Sequence, residues 1–540
     1  MFARGAVVVE PFLQRWRPAL GQVLGLPGLF LTIFSIAALT GPGRIDIVDG
    51  ETRYEVSRSL VDHGDSIIRN PHVWWVVFPG RDAANYTYYR IPQSALGVLA
   101  IWAADLGTSP NEERRHFFFV LTSAAAGAWL AVVYALCFQC LGLSARSAIW
   151  WAAAGILCTP SWFYSTSTFD DILGTAALVT AVYVTFALCS RRPLLAGLLG
   201  GLLVGVAYNC KPPLAFGILP VMGILADARR GKPWPWLAFA LVVVGLLVGV
   251  AADTVYDLAK FPPGARAAHA ETVARLYVAV WAPNPFANLV ALAFSPSAAV
   301  WLYCPTLFLS VLGATYWFKE HRWYSWGLWL GSGVFVATIC LLSIFKGDPT
   351  WGPRYLTPVF ALFWLFVPAA SARCRPLVVV ALLGAGLLVQ GLALSVDSHR
   401  LYVMRGLHSA FYYHGESGAW AYFDPDVAHL NNRPREILDI WASHARRAEE
   451  FTPGLTPTSP PPLVDQIGLD EHRNVKIPRG EARVNHYVIF DEFRPWWISF
   501  RHLAPEQRPV NLEQTAVVLL GLLGIGLAAM FAGLYSDRKP

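Results

Sequence analysis

The chain has 540 residues, of which 55% are hydrophobic and only 14% charged, with a mean hydropathy of +0.43. Soluble globular chains carry about 25% charged residues, so an ordinary water-soluble protein is excluded. The net charge of +6 does not point to nucleic acid, because the basic residues form short clusters between apolar runs rather than one face. Such clusters are topology signals. Eight cysteines are scattered, several inside apolar runs (Cys137, Cys158, Cys189, Cys340), which implies no disulfide framework. Cys137 and Cys140 at a helix end read as packing rather than metal ligation.

Residues 1–22 carry Arg4, Arg15 and Arg17 ahead of the first apolar run and read as a retained signal-anchor. Apolar runs near the length that crosses ~30 Å of hydrocarbon predict about twelve membrane helices. They lie near 23–40, 116–140, 147–164, 171–189, 194–208, 213–226, 235–252, 299–317, 324–344, 355–371, 377–396 and 515–534. A further run, 92–106, is short and ends in Asp105. If it does not cross, Arg191/Arg192, Arg229/Arg230/Lys232, Lys319/Arg322, Arg373/Arg375 and Arg538/Lys539 all fall on the side of the basic N-terminus; if it crosses, all five flip outward. The positive-inside rule selects the first arrangement, with 92–106 as a juxtamembrane helix on the outer leaflet and both termini cytoplasmic. The expected fold is thus an all-α polytopic membrane protein. Its parts are a transmembrane domain over 1–396 with a large first outer loop (41–115), a small extracytoplasmic insertion (397–514), and a final helix and tail (515–540). Within the insertion, Thr452 to Leu463 is Pro-rich and reads as an extended linker, and Trp496-Trp497 as an interface anchor. Gly197, Gly201 and Gly205 recur at the spacing that lets helices approach closely, and Gly384, Gly386 and Gly391 take the same reading.

Three polar sites fall on the outer side. The first loop places Asp46, Asp49 and Glu51 directly after the first span, followed by an amphipathic helix over about 51–63 that would lie in the interface. Acids at a solvated helix N-terminus are the plain alternative. The second site is Ser165 to Asp171, where adjacent Asp170 and Asp171 enter an apolar helix. Two carboxylates there are expensive without a partner or a wet cavity, and N-capping explains one more readily than both. The third is basic: Lys211, Lys346 and Arg354 sit outside against the charge bias. Phosphate recognition suits them; pairing with Asp348 or with lipid headgroups is the alternative. Outward acids and cations beside lipid fit transfer of a group from a phospholipid-like carrier, with a carboxylate as general base and the cations on the departing phosphate. The thirteen histidines, including His399, His408, His414 and His429, show no metal-ligand spacing.

From about residue 23 to residue 400 the chain resembles the polyprenyl-phosphate-dependent glycosyltransferases of the GT-C superfamily, which include relatives of protein O-mannosyltransferases, the lipid A aminoarabinose transferase and the RgtA-like group. The resemblance is carried by Asp49-Gly50-Glu51-Thr52-Arg53-Tyr54, Ser59-Leu60, Gly64-Asp65 and Tyr88-Tyr89-Arg90-Ile91-Pro92-Gln93-Ser94. It continues in Tyr164-Ser165 running into Asp170-Asp171, Ser295-Pro296 with Tyr303-Cys304-Pro305, and Trp351-Gly352-Pro353-Arg354-Tyr355-Leu356. It implies Asp49 as general base, with Glu51 and Asp46 as alternatives, and Asp170 or Asp171 as acceptor-binding. Arg354, with Lys211, Lys346 and Arg53, is implied on the donor phosphate. It further implies a polyprenyl-phosphate sugar donor, an inverting transfer, a glycan, lipid or protein acceptor, and a bacterial inner membrane with the site facing outward. The family has members with and without a divalent metal, so the resemblance leaves that cofactor open. Two departures stand out: many members have adjacent Asp-Glu where this chain has Asp49-Gly50-Glu51, and the RgtA-like group often has Gly-Gly where this chain has Gly347-Asp348. A transporter or flippase of lipid-linked saccharides, or a non-catalytic binder of them, are the competing functions. A transporter should show an internal repeat and paired broken helices, and no repeat is visible.

Overall fold

A computed structural model describes residues 24–69, 77–230, 233, 235–265, 267–269, 284–319, 321–342, 345–347, 350–398, 400–401, 422–450, 481–484, 487–490, 493–502, 505 and 508–536. Lys232, Asp348, the 452–463 linker, His399, His408, His414, the basic N-terminus and Arg538/Lys539 lie outside the described residues.

The apolar runs form helices where the sequence places them. In chain order these are α1 (Leu24–Thr40), α2 (Val48–Asp62), α3 (Pro92–Asp105), α4 (Glu112–Cys140), α5 (Ala145–Leu157), α6 (Asp171–Leu188), α7 (Pro193–Cys210), α8 (Ile218–Asp227) and α9 (Trp236–Lys260). They continue as α10 (Pro285–Phe294), α11 (Leu307–Trp317), α12 (Arg322–Cys340), α13 (Thr357–Trp364), α14 (Pro376–Ser395), α15 (His429–Glu450) and α16 (Leu512–Ser536). Local chemistry sets several ends. The Asn111 side chain accepts from Arg114 N to cap α4, Ser144 caps α5 through Ser147 N, and prolines open α7 and α14. Among the described residues, six helices (α4, α6, α7, α9, α14 and α16) are long and apolar enough to cross a membrane. The chain is a multi-pass integral membrane protein. Other predicted spans are shorter or broken: 147–164 bends at Thr159-Pro160, and 213–226 begins as a 3₁₀ turn, Pro212–Gly217, before α8.

Helix contacts follow the small residues. α7 packs between α6 and α9, and a Cβ on Gly197 or Gly201 would overlap the backbone of Ala238 or Val242, while Gly205 meets Gly249. That is the close approach their spacing predicts. Gly386 likewise abuts the Cys158 carbonyl, but Gly384 and Gly391 face open space, so packing does not explain them.

The segment between α1 and α4 folds as a compact cap. α3 has 14 residues, about 21 Å at 1.5 Å per residue, too short to cross ~30 Å; it packs against α2 and α4. Ser57 Oγ donates to Ser94 O at 2.9 Å, Ser94 Oγ donates to Arg53 O at 3.0 Å, and Arg115 bridges Asp62 and Asp105. α2 differs from its expected form. It starts at Val48, so Asp49 and Glu51 lie in its first turn, and protein buries both its apolar side (Tyr54, Val56) and much of its polar side (Arg53, Glu55, Ser57). A short antiparallel hairpin, β1 (Val77–Pro79) with β2 (Asn85–Thr87), leads into α3. Further along the chain α15 packs on α14, with His429 Nε2 2.6 Å from Ser398 O and Arg433 over the Trp351 ring.

The ends of several helices converge. The C-termini of α1 and α7, the N-terminus of α6, the start of α2, and residues 345–347, 350–354 and 493–496 meet at one end of the bundle. Arg191/Arg192, at the far end of α6, lies a helix length away from it.

Candidate active site

Two buried contacts bring the first and second acidic sites together. Asp46 Oδ1 accepts from Thr168 N at 3.0 Å and Thr168 Oγ1 at 2.9 Å, while its Oδ2 accepts from Arg494 Nη2 at 3.1 Å. Arg494 also donates to Thr166 Oγ1 at 2.7 Å and sits 4.6 Å over the Phe163 ring. Gly50 completes the fit, because a Cβ there would overlap the Thr168 side chain. The glycine between Asp49 and Glu51 thus has a packing role: the first turn of α2 rests directly on the 165–170 loop. Gln93 Nε2 ties α3 to the same loop at Thr168 O, 2.9 Å.

Across this junction runs a row of six charges of alternating sign. Asp49 Oδ2 lies 4.0 Å from Arg53 Nη1, and Arg53 Nη2 donates to Asp170 Oδ2 at 2.9 Å. Asp170 Oδ1 lies 3.8 Å from Lys211 Nζ, which pairs closely with Asp171 Oδ1; Asp171 Oδ2 lies 3.7 Å from Arg354 Nε. Arg53, Asp170, Asp171 and Arg354 are buried, while Asp49 and Lys211 side chains retain about a fifth of their exposure (21% and 18%), so solvent reaches the row at its acidic end and at Lys211. Burying one charge costs several kcal/mol unless it is paired, and alternation gives every member an opposite neighbour. Aromatic rings line the row. The Arg53 guanidinium lies 4.3 Å over Tyr89, Lys211 lies 4.8 Å over Tyr355, and Arg354 lies 3.9 Å over Phe169. The Tyr89 hydroxyl donates to Asp49 Oδ1.

The Arg354 loop is shaped for that contact. Gly347 has φ +92, and a Cβ there would meet Arg354 Nε and Cβ; Arg354 N donates to Lys346 O at 2.9 Å. Only glycine takes that backbone conformation without strain. Tyr164 Oη donates to Trp351 O at 2.7 Å, fastening this loop to the 165–171 loop.

The predicted residues therefore separate. Asp49, Arg53, Asp170, Asp171, Lys211 and Arg354 come together. Asp46 does not join them, since both of its oxygens are engaged by Thr168 and Arg494. Lys346 is buried over Tyr422, and burial pushes its ammonium down to about 7. Glu51 is two residues past Asp49, about 200° around the helix, and faces His116 at 3.5 Å. Tyr89, Phe169, Tyr355 and Arg494 carry contacts that sequence reading left unassigned. Tyr89 sits in the Tyr88-Tyr89-Arg90 motif, and Arg494 is a further cation just before the last helix. Among the described residues, no three His, Cys, Asp or Glu side chains are grouped to hold a metal ion.

Burial, then the charges of Glu55 and Glu112, pushes the Glu51 carboxyl up to about 8, with Glu113 adding to the shift and Arg58 opposing it. A folded-state acid that holds its proton above its unfolded value loses stability as pH rises from that value through the folded one. The melting temperature of the wild type should therefore fall between pH 6 and pH 9, and Glu51→Gln should reduce that fall. A thermal scan at both pH values checks this, and equal slopes for the two proteins would contradict it.

No family model matches the chain, and no curated protein is significantly similar to it. Among solved structures it is similar to ArnT from Cupriavidus metallidurans bound to undecaprenyl phosphate, at 16% identity and TM-score 0.42, covering 82% of each chain. It is also similar to the archaeal oligosaccharyltransferase AglB from Archaeoglobus fulgidus, in complex with an inhibitory peptide and a dolichol-phosphate. There the identity is 12% and the TM-score 0.41, over 76% of this chain and 60% of that one.

Proposed function

We propose that this chain is a membrane glycosyltransferase that moves a sugar from a polyprenyl-phosphate carrier to an acceptor hydroxyl or amine on the non-cytoplasmic side. The observation that carries the reading is the alternating row of charges, with a partly exposed carboxylate, Asp49, at one end and a partly exposed cation, Lys211, within it. Asp49 takes the proton of the attacking acceptor group. The acceptor atom bonds to the anomeric carbon as the bond from that carbon to the phosphate oxygen breaks, and its electron pair leaves with the carrier. Attack opposite the leaving group inverts the anomeric centre. Lys211 and Arg354 stabilise the charge that develops on the carrier phosphate, and Asp170 and Asp171 hold those cations in place while orienting the acceptor. The motif resemblance supports the same assignment.

Twelve crossings, with α2 and α3 lying outside the hydrocarbon, put Arg191/Arg192, Arg229/Arg230, Lys319/Arg322 and Arg373/Arg375 on the cytoplasmic face and the charge row on the other. In a bacterium that face is the periplasm or exterior. The transmembrane unit is 1–396 with the 515–540 helix, and 397–514 is an insertion on the outer side.

Arg354→Ala should weaken binding of undecaprenyl phosphate about ten- to a hundredfold, the worth of a charge-assisted hydrogen bond. Arg354→Lys should fall between, because an ammonium keeps the charge but not the planar fork. Equilibrium binding to the full chain in nanodiscs measures this. Wild-type affinity in Arg354→Ala would remove Arg354 from the phosphate site.

A further inference from the structure

The last two turns of α9 break the apolar character of that helix. Asp253, Asp257 and Lys260 are buried, whereas Val255 and Leu258 of the same turns are 67% and 44% exposed. The positions 253, 256, 257 and 260 share one helix face, and that face is turned onto the segment between β2 and α3. Lys260 Nζ donates to Thr87 O at 3.1 Å and Tyr89 O at 3.3 Å, pairs with Asp257 Oδ1 at 3.3 Å, and lies 4.0 Å over the Tyr256 ring. Arg90 Nε donates to Asp253 Oδ1 at 2.8 Å, with its guanidinium 5.1 Å over Tyr208. Arg81 Nε donates to Leu258 O at 2.8 Å. The hairpin is thus gripped at Arg81, Thr87, Tyr89 and Arg90 by one helix end.

Tyr89 is held on one side and works on the other. Its carbonyl accepts from Lys260, whereas its hydroxyl donates to Asp49 and its ring stacks under Arg53. A buried ammonium is costly unless satisfied by several partners, and here two of those partners are backbone carbonyls, one of them this residue's own. A hairpin anchor alone would not require the ammonium to take the carbonyl of the residue whose hydroxyl meets the acid. We infer that Lys260, with Asp253 acting through Arg90, is a positioning residue that fixes the Tyr89 hydroxyl on the Asp49 carboxylate. This rests on Asp49 being the acid that handles the acceptor proton. Neither Lys260 nor Asp253 touches the reacting atoms.

The full chain in lipid nanodiscs, carrying 3-fluorotyrosine at position 89, reports the contact through its ¹⁹F resonance. Asp49→Asn should move that resonance by removing the carboxylate. Lys260→Met should also move it, and Lys260→Arg should return it towards the wild-type position. Turnover of Lys260→Met should fall by up to about a hundredfold with little change in KM, as a misplacement of about 1 Å can produce. If Lys260→Met does not fold, Asp253→Asn carries the same measurement, since it frees Arg90 next to Tyr89. A wild-type resonance in the folded Lys260→Met or Asp253→Asn protein would overturn the inference. Undiminished transfer by Asp49→Asn is a separate failure, because it sinks the assignment of the base and leaves the ¹⁹F coupling as measured.

Discussion

Replacing Asp49 by Asn should lower the rate of sugar transfer by about 10²- to 10⁴-fold, the usual worth of a positioned general base, and leave carrier binding and folding nearly intact. The substitution keeps size and shape. The amide oxygen still accepts from the Tyr89 hydroxyl, and Arg53 keeps its 2.9 Å bond to Asp170. What is removed is the capacity to take a proton, together with the charge 4.0 Å from Arg53. Lys211 and Arg354, which meet the carrier phosphate in this account, pair with Asp170 and Asp171 rather than with Asp49. The loss should therefore appear in kcat, with undecaprenyl phosphate affinity within about twofold of the wild type, because an interaction absent from ground-state binding contributes to turnover alone. Initial rates and equilibrium binding on the same preparation separate the two. Full transfer with Asn at position 49 would remove that residue from its role.

The second large effect is on stability. Arg494 and Asp46 are buried, and their 3.1 Å pair joins the segment before α16 to the residues after α1. Removing either partner strands a charge away from water, at a cost of about 3–5 kcal/mol. Arg494→Met leaves Asp46 Oδ2 without its cation and Thr166 without its donor; Asp46→Leu leaves Arg494 buried over Phe163 and unfastens Thr168. The double variant should cost clearly less than the sum of the singles, since it removes both charges together. Thermal unfolding of all four proteins in one detergent closes the cycle. Additive losses would mean that the two residues act independently. Because Asp46 and Thr168 align α2 with the 165–171 loop, the singles that still fold should also lose transfer activity.

Much of this architecture is legible in the sequence because a bilayer allows few alternatives. Apolar runs have to become helices there, having no water to satisfy their backbone groups. Hence α4, α6, α7, α9 and α14 appear where hydropathy puts them, and a 15-residue run such as 92–106 is too short to cross. Charges next to such runs are conspicuous for the same reason, and Asp170, Asp171, Lys211 and Arg354 stand out before any coordinates exist. The choice among Asp46, Asp49 and Glu51 is harder, because it depends on the start of α2. With the helix beginning at Val48, Asp49 and Arg53 share a face and Glu51 turns away; a start at Glu51 obscures that phase. Arg494 meets Asp46 across 448 positions of chain, and no local pattern records a pairing that distant. Tyr89 belongs to a recognisable motif, but the direction of its hydroxyl depends on where α9 holds the segment behind it. Gly50 reads as a departure from a family pattern until Thr168 is seen beneath it.

The most direct test of transfer from a polyprenyl-phosphate carrier is the lipid extract of a strain that lacks this protein, analysed by mass spectrometry. A sugar-loaded polyprenyl phosphate should accumulate there, return to its normal level when the wild-type chain is restored, and stay elevated when Asp49→Asn is restored in its place. An unchanged pool of lipid-linked sugars in the deletion strain, or full recovery with the Asn variant, would contradict the account.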